Sequence, residues 1–535
     1  MQRIASLVDV NSQEFHLNEL HNRRLAAELN ERQRAVRFDR PERDRERLRR
    51  QNKHFVRDRV EALLDPETPF LELSTLAANE AYNGGVPSAA QVVGIGIVAG
   101  REVIVHADDP SVKGGAWYPL SVKKIVRSLD IAIENRLPVV HLCDCGGGFL
   151  PLQAELFADR HHAGRIFRNQ SILSKMGVPQ VALVMGHCIA GGAFVPALSE
   201  YNIIVQGSGA IFLGGPSVVK VATGQHVSVD ELGGADMQTT VSGTADYIAH
   251  SEMHAIAIAR DLVGRTNRPE KISIDRVAPE PPAYDASELY GIIPRDPRVH
   301  FDMREILARL VDGSRFHEYQ PLYGRTLVCG FARLHGYQIG VLANNGVLFD
   351  DSALKGAHFI QLCDMNRTPL FFLQNITGFM VGSEYERRGI TKNAAKLLMA
   401  VSGAAVPKFT VICNHSHGGG TFAMAGRAFD PRFLFTWPQA QISAMGADQA
   451  TRVLMDVKAK QMAADGRRLS AEEYEVTRQS ILEEYRERSS AYYATSEIWD
   501  DGILDPVDTR NALAIALSAS LNAPTETPHY GIFRM

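Results

Sequence analysis

The residues best suited to chemistry in this 535-residue sequence are backbone amides in two glycine-rich turns, rather than reactive side chains. The apolar segment 181–185 runs into Gly191 and Gly192. A later apolar segment runs into Gly419 and Gly420. Glycine lets a main-chain N–H approach a ligand closely, and a helix start adds positive dipole character. Two such turns predict two oxyanion-stabilising pockets, which suit a carbonyl that becomes an enolate. A tight strand-to-helix connection without a ligand is the alternative interpretation of each turn.

Other residues with catalytic potential lack the partners that their chemistry needs. The segment 94–100 has one residue too many for a dinucleotide-binding fingerprint, and Ser416 lacks the first glycine of a nucleophile elbow. His415 and His417 could ligate a metal, but no third ligand stands near them in the sequence. No pair of carboxylates is spaced convincingly for acid–base catalysis. We therefore expect a substrate or cofactor to supply the base, and we expect no metal in this chain.

The composition indicates a large globular protein with about three or four domain-sized units. It is 45% hydrophobic and 22% charged, and its net charge of −4 argues against nucleic-acid binding by the molecule as a whole. No apolar run approaches the roughly 20 residues that cross a bilayer, and the N-terminus lacks the apolar segment of a secretion signal. The six cysteines lie in apolar runs and are expected to be reduced and buried. These features predict a cytoplasmic protein, or a mitochondrial matrix protein in a eukaryote, that binds no membrane.

Residues 1–60 are predicted to form an N-terminal helical arm. Residues 21–60 contain 14 basic and 7 acidic residues. The interleaved acids are typical of a solvated helical face. The alternative is a basic collar for an anionic ligand such as a nucleotide phosphate.

An internal repeat organises the α/β remainder, in which buried strands such as 92–98 and 139–143 alternate with helices such as 121–135 and 165–176. Asn-Arg-Leu-Pro at 135–138 and Asn-Arg-Thr-Pro at 366–369 precede equivalent strands, 231 positions apart. The two glycine turns are 228 positions apart. The chain is therefore predicted to contain two copies of one α/β unit, at 61–280 and 281–535, with a proline-rich linker over 267–299. Duplication indicates two related sites, or one site between the halves.

Several segments give the sequence a family resemblance. It resembles the carboxyltransferase (β) subunits of biotin-dependent acyl-CoA carboxylases, and most closely the methylcrotonyl-CoA carboxylase branch, from about residue 55 onward. The segments that carry the resemblance are Leu64-Asp65-Pro66, Val112-Lys113-Gly114-Gly115, Glu231-Leu232-Gly233-Gly234-Ala235-Asp236, Asn375-Ile376-Thr377-Gly378-Phe379, Trp499-Asp500-Asp501-Gly502 and the ending Gly531-Ile532-Phe533-Arg534-Met535. Propionyl- and acetyl-type relatives usually have Pro-Gly-Phe where this chain has Thr377-Gly378-Phe379.

The resemblance implies an α/β fold of two tandem crotonase-like domains, the ββα-spiral fold of the ClpP/crotonase superfamily. The first domain would bind acyl-CoA and the second biotin, with the active site between domains of different subunits in a homo-oligomer, usually a hexamer. The chain contains neither an Ala-Met-Lys-Met biotin-attachment segment nor an ATP-binding loop. A partner (α) subunit that carries the biotin carboxylase and biotin carrier domains is therefore implied.

The resemblance also assigns roles to residues. Gly191 and Gly192 would hold the thioester oxygen as it becomes an enolate, and Gly419 and Gly420 would hold the biotin urea oxygen. Biotin itself would be the base, because the anion left after CO2 release takes the substrate proton. The residues implied on the acyl-CoA side or near the subunit junction are Lys113, Gly114, Gly115, Ala116, Gly146, Gly147, Gly148, Asn344, Asn345 and Gly346.

The sequence departs from the branch pattern around both pockets. The branch usually reads Asp-Ser-Gly-Gly-Ala where this chain has Cys145 in Asp-Cys-Gly-Gly-Gly, and Gly-Ala-Gly-Asn-Tyr where it has 418–422, Gly-Gly-Gly-Thr-Phe. The glycine donors are retained, but the pocket walls differ. The expected substrate is 3-methylcrotonyl-CoA. Another acyl-CoA (geranyl-, propionyl- or longer) and a non-catalytic scaffold for the biotinylated subunit are the alternatives.

Overall fold

Two mixed β-sheets dominate the computed structural model, which describes residues 1–267, 271–464 and 466–535. The strands are β1 (Gln2–Arg3), β2 (Leu71–Leu73), β3 (Gln91–Val98), β4 (Arg101–Asp108), β5 (Val139–Cys145), β6 (Gln180–Ile189), β7 (Tyr201–Val205), β8 (Ala210–Phe212), β9 (Tyr247–Ala249), β10 (Arg315–Tyr319), β11 (Leu327–Leu334), β12 (Tyr337–Asn344), β13 (Leu370–Ile376), β14 (Lys408–His417), β15 (Phe433–Thr436) and β16 (Gln441–Ser443).

Helices cover the sheets and form the arm at the N-terminus. They are α1 (Gln13–Phe38), α2 (Glu42–Arg50), α3 (Val56–Leu63), α4 (Pro119–Asn135), α5 (Gly164–Lys175), α6 (Phe194–Ala197), α7 (Pro216–Thr223), α8 (Val229–Gly233), α9 (Ala235–Thr240), α10 (Glu252–Arg265), α11 (Leu289–Ile292), α12 (Met303–Leu310), α13 (Asp350–Met365), α14 (Ser383–Arg387), α15 (Ile390–Gly403), α16 (Gly418–Ala423), α17 (Ala447–Ala464), α18 (Ala471–Ser489), α19 (Ala491–Ser496) and α20 (Thr509–Ser520).

The two sheets have the same topology, which confirms the predicted duplication. The shared part runs β2-β3-β4-β5-β6-β7 with β8 beside β6 in the first sheet, and β10-β11-β12-β13-β14-β15 with β16 beside β14 in the second; β9 beside β7 and β1 beside β10 are additions to one sheet each. Each starts as an antiparallel hairpin and continues with parallel strands. Each also has a register irregularity at the same point, between Cys143 and Cys145 in the first and between Gln374 and Ile376 in the second.

The predicted strands at 92–98 and 139–143 are confirmed as β3 and β5, and the predicted helices at 121–135 and 165–176 as α4 and α5. Both apolar runs are buried, and β5 lies in the parallel part of the sheet, where both faces are covered. Of the proline-rich segment, residues 271–299 are mostly irregular, while 268–270 lie outside the described residues. The exact limits of the arm and of the two units stay a prediction.

The two units share one apolar core. A single buried cluster includes Leu129 and Val184 of the first unit with Phe371 and Trp437 of the second. Because the burial of apolar surface drives association, the sheets are packed as one body rather than tethered by a linker.

Asp501 ties the two units together at the edge of this core. It is fully buried and accepts hydrogen bonds from Arg127 (Nε to Oδ1, 2.8 Å) and Arg427 (Nη2 to Oδ1, 3.0 Å). Burial alone would raise its pKa, but the two guanidinium groups hold the pKa of Asp501 well below its usual value. The carboxylate therefore stays charged between its two partners.

The N-terminal arm contacts both units. Strand β1 pairs antiparallel with β10 of the second sheet. In α1, the Asn22 amide donates to the carbonyl oxygens of Tyr290 (2.8 Å) and Ile293 (2.7 Å). In α2, Arg47 donates to Pro110 O of the first unit (2.7 Å). The arm is thus helical, as predicted, and it also bridges the two units.

Candidate active site

The first glycine turn follows the end of β6. Residues 190–193 form one turn of 3-10 helix that opens with Ala190 in the left-handed region (φ 53°). A Cβ on Gly192 would lie 2.7 Å from Cys145 Sγ, whereas a Cβ on Gly191 would meet no atom closer than Phe167 Cζ at 3.5 Å. Gly192 is therefore required for close packing against the end of β5. Gly191 is only half-buried, so the turn remains accessible from solvent.

The second turn repeats this geometry residue for residue. Gly418 is left-handed (φ 59°) and begins α16 directly after β14. A Cβ on Gly420 would lie 2.5 Å from Ile376 Cγ1 at the end of β13, whereas Gly419 is exposed and its Cβ would be 3.7 Å from Phe379. The amides of Gly419 and Gly420 lie in the first helical turn, where N–H groups have no partner within the helix. Each unit thus carries one accessible glycine and one packed glycine in equivalent places.

Two loops form the wall of the first turn and are joined by main-chain hydrogen bonds. Trp117 N–H donates to Gly147 O (2.9 Å), and Phe149 N–H donates to Trp117 O (2.8 Å). Gly115 is left-handed (φ 73°), and any Cβ there would collide with Asp144 O. Gly147 in turn lies against the first turn, since its Cβ would be 3.4 Å from Ile189 O. The structure therefore brings together the predicted segments 113–116, 146–148 and 191–192.

Buried charges hold this wall in place. Arg59 is fully buried and donates to Asp144 Oδ2 (3.2 Å from Nη1) and to Glu252 Oε1 (2.5 Å from Nη2). Lys53 Nζ reaches the other oxygen of Asp144 at 2.8 Å. Asp108 accepts the N–H of Asp144 at 3.0 Å, and burial raises the pKa of Asp108 to about 6. Sequence reasoning missed this cluster, because its members are far apart in the chain.

The second unit has the matching wall. Leu348 N–H donates to Gly378 O (3.1 Å), and Met380 N–H donates to Leu348 O (2.9 Å). Of the predicted residues on this side, Asn344 is fully buried, and Asn345 Oδ1 accepts the N–H of Met303 (2.9 Å) at the start of α12.

Gly346 is the predicted residue of this side that lines an open cavity. The cavity measures about 770 Å³ and is also lined by His415 and His417. Gly346 thus lines the cavity, whereas Asn344 is buried and Asn345 holds the start of α12; a substrate-binding role for these residues stays a prediction.

A second cavity of about 770 Å³ opens at the second glycine turn. Its lining includes Gly418 and Gly419, and its other lining residues are Thr421, Phe422, Ile442, Ser443, Ala444, Leu454, Ile481, Glu484, Tyr485, Arg488, Ser489 and Trp499. Apolar side chains beside main-chain donors suit a small ring system with one polar edge.

A third cavity, of about 900 Å³, lies between the arm and the first unit. Its basic lining residues are Arg40, Arg43, Arg47, Arg50 and Lys113, together with the acids Asp39 and Asp44. Arg40 is paired with Asp109 (2.7 Å) and Arg47 with Asp44 (3.1 Å). Because Lys113 belongs both to this cavity and to the wall of the first turn, the basic surface continues to the glycine site.

Within the part of the chain that the structure describes, no group of three or more His, Cys, Asp or Glu side chains is placed to hold a metal ion. His415 and His417 instead hydrogen-bond to each other (3.1 Å). No helix among the described residues is both long enough and apolar enough to span a bilayer. All six cysteines are buried and free, as the sequence predicts.

Comparison with known proteins places this site in a family. The model of the carboxyl transferase domain matches residues 47–531. The chain is 48% identical over 514 residues to the biotin-dependent 3-methylcrotonyl-coenzyme A carboxylase beta1 subunit of Mycobacterium tuberculosis, covering 96% of this chain and 97% of the relative. It is 46% identical to the mitochondrial methylcrotonoyl-CoA carboxylase beta chain of Arabidopsis thaliana, covering 99% and 91%. The crystal structure of the geranyl-CoA carboxylase beta subunit of P. aeruginosa superposes with a TM-score of 0.90 at 37% identity, covering 99% of each chain.

The chain belongs to the carboxyl transferase domain family and, within it, to the β subunits of biotin-dependent acyl-CoA carboxylases. Its relatives at 46–48% identity are of the methylcrotonyl-CoA carboxylase branch. The predicted family, branch and enzyme class are therefore confirmed. The α/β fold of two tandem crotonase-like units is confirmed as well.

Proposed function

We propose that this chain transfers a carboxyl group from carboxybiotin, presented by a partner subunit, to the enolate of 3-methylcrotonyl-CoA, which gives 3-methylglutaconyl-CoA. The observation that carries the proposal is the duplicated glycine turn, with an accessible and a packed glycine in each unit. Main-chain donors fixed in place before reaction stabilise developing negative charge without reorganising.

The chain's own contribution to the reaction is to bind two oxygens and orient them. Gly191 and Gly192 donate to the thioester oxygen, which becomes negative when the substrate loses its proton. Gly419 and Gly420 donate to the urea oxygen of biotin. Biotin, when bound, supplies the carboxyl group and the base. No acidic or basic side chain of this chain is needed at the reacting atoms, which agrees with the lack of a catalytic dyad in the sequence.

The cavity at Gly418 and Gly419 fits the bicyclic ring of biotin. The ring is apolar except for its urea edge, and Phe422, Ile442 and Trp499 line the cavity together with Gly418 and Gly419. A side chain at Gly420 would push against Ile376 and close the turn. The partner is proposed to be an α subunit that carries the biotin carboxylase and biotin carrier domains.

The basic cavity suits the phosphates of coenzyme A. Arg43 and Arg50 are exposed cations that line the cavity, where they can meet phosphate oxygens, and Lys113 lies where the cavity reaches the first turn. The cavity supports the interpretation of the arginine-rich arm as a basic collar for an anionic ligand, rather than as a solvated helical face alone. The segment that guides the pantetheine chain to Gly191 then consists of Lys113, Gly114, Gly115 and Ala116.

A homo-oligomer, proposed to be a hexamer, would complete the site between domains of different subunits. Apolar side chains that a lone subunit leaves exposed support this assembly. They include Leu213, Val218 and Val221 near the first unit's helices and Leu454 and Val457 on α17. We place the assembly in the cytoplasm, or in the mitochondrial matrix in a eukaryote.

Geranyl-CoA is the main alternative substrate, because the geranyl-CoA carboxylase subunit shares the whole fold. The test is to reconstitute the chain with a biotinylated partner and to assay 3-methylcrotonyl-, geranyl- and propionyl-CoA with bicarbonate and ATP. We expect the highest kcat/KM for 3-methylcrotonyl-CoA. Preference for a saturated short acyl-CoA would contradict the substrate assignment. Turnover that survives Gly191→Val would contradict the mechanism, and no turnover of any acyl-CoA would favour the scaffold interpretation.

A further inference from the structure

A chain of hydrogen bonds starts at Ser443 in the wall of the cavity beside Gly418 and Gly419. Ser443 Oγ lies 2.9 Å from His417 Nδ1 and 2.7 Å from Met445 O. His417 Nε2 lies 3.1 Å from His415 Nδ1, and His415 Nε2 lies 2.8 Å from Pro297 O. Ser443 is only half-buried, whereas both histidines are buried.

A count of protons shows which way the Ser443 hydroxyl points. The two carbonyl oxygens can only accept, and Met445 O also accepts from Tyr485 Oη (3.0 Å), so the three contacts from Ser443 through His417 and His415 to Pro297 O need three protons. Burial lowers the pKa of His417 to about 4 and also lowers that of His415, so both rings are neutral at pH 7 and three protons are available. Turning the hydroxyl hydrogen of Ser443 into the cavity would leave one of these three contacts without a proton. The hydrogen therefore points inward, to His417 or to Met445 O, and the oxygen offers a lone pair to the cavity.

The arrangement belongs to the second unit alone. In the first unit, β8 pairs with β6 as β16 pairs with β14, and the positions equivalent to His417 and Ser443 are Ile189 and Phe212. The two turns share their glycine geometry but differ in this polar neighbour. A feature present in one of two duplicated sites points to the ligand that only that site binds.

We propose that Ser443 accepts a hydrogen bond from a ring N–H of the biotin urea whose carbonyl oxygen is held by Gly419 and Gly420. This inference rests on the proposed function. A cyclic urea presents a carbonyl flanked by N–H groups, and the cavity presents amide donors beside a hydroxyl acceptor, so the two patterns are complementary. His417 and His415 are positioning residues, because they act only by fixing the hydroxyl of Ser443.

The test measures binding of free biotin and of its two mono-N-methyl derivatives to the intact protein by ligand-observed NMR. Wild type should bind one methylated ring about tenfold more weakly than biotin, because the Ser443 acceptor, which the bound ring covers, loses its partner. Ser443→Ala should bind biotin about fivefold more weakly than wild type does, and it should lose most of the difference in affinity between biotin and the methylated derivative. Ser443→Thr, which keeps the hydroxyl, should restore both. Ser402→Ala, on exposed α15 surface, is the matched serine control.

The positioning role is tested with His417→Phe, which keeps an aromatic ring but has neither ring nitrogen. It should weaken biotin binding less than Ser443→Ala does, and the double variant should bind no more weakly than Ser443→Ala alone. Additive losses would mean that His417 acts structurally and would overturn its role.

The outcomes separate this inference from the function on which it rests. Normal carboxyl transfer together with unchanged biotin affinity in Ser443→Ala would overturn the inference alone, and would assign the N–H to another acceptor such as Ala444 O. Failure of wild type both to transfer carboxyl groups and to bind biotin would overturn the proposed function first.

Discussion

The substitution Gly192→Ala puts the amide-donor mechanism to its most direct test. A methyl group at this position would lie 2.7 Å from Cys145 Sγ and 3.0 Å from Cys145 Cβ. Non-bonded atoms of this kind separate to roughly 3.5–4.0 Å, so the turn must move away from β5 by about 1 Å. The turn and not the strand should give way, because β5 is buried and hydrogen-bonded on both sides.

The expected loss follows from that displacement. A misplacement of about 1 Å in a catalytic constellation lowers the rate by about 100-fold, and loss of one oxyanion donor lowers kcat by about 100- to 1,000-fold. We therefore expect kcat to fall by about 100-fold or more. The overpacking should lower the free energy of unfolding by about 1–3 kcal/mol, which leaves the protein folded.

The measurement is the steady-state kcat of the reconstituted complex with a saturating acyl-CoA, with thermal unfolding and oligomeric state recorded in parallel. The double variant Gly192→Ala with Cys145→Gly removes the two atoms that the methyl group would crowd, and it should recover most of the lost rate. Cys145→Gly alone is the control for the cavity it leaves. An unchanged kcat in a destabilised Gly192→Ala protein, or a double variant that stays inactive, would refute the assignment of this amide to the reacting oxygen.

Three further predictions concern the buried charges and the basic cavity. Arg59→Met should lower the free energy of unfolding by about 3–5 kcal/mol in a urea titration, because it leaves Asp144 and Glu252 buried without their shared partner; a loss below about 1 kcal/mol would contradict the packing argument. Burial raises the pKa of Asp500 to about 6, so the native state holds a proton that the unfolded state has lost, and stability should fall from about pH 4 to pH 6. As the pH rises from 4 to 7, the free energy of unfolding of Asp500→Asn should therefore increase by about 3 kcal/mol relative to that of wild type, since one pKa unit corresponds to about 1.4 kcal/mol. Parallel pH profiles of the two proteins would exclude this carboxyl as the cause. Lys113→Gln should raise the KM for acyl-CoA by about tenfold with kcat retained, and it should not affect a pantetheine thioester that lacks the nucleotide phosphates; an equal effect on both substrates would show that Lys113 does not contact phosphate.

The duplication could be predicted because its signals are local. Each copy of the unit places a proline before a buried strand and glycines after it, so the spacing of a few short motifs gave both the number of units and the positions of the turns. The structure adds the reason for the paired glycines: Gly192 and Gly420 are needed for packing, whereas Gly191 and Gly419 have room for a side chain.

The supports of the turns could not be predicted from the sequence, because they join distant residues. Arg59 meets Asp144 and Glu252 only after the first sheet has formed, and nothing in the arginine-rich arm distinguishes it from its exposed neighbours. Likewise, His417 was weighed as a metal ligand from its spacing to His415. Its contact with Ser443 depends on the pairing of β16 with β14.

The bridge that the N-terminal arm forms between the two units constrains the order in which parts of the molecule can fold. Gln2 pairs with Phe316 and Arg3 with Arg315, so this strand cannot pair until residue 316 has been synthesised. Helix α3, which packs on the first sheet, can dock much earlier. The two-residue strand therefore joins the second sheet only after the first unit and the beginning of the second have been synthesised.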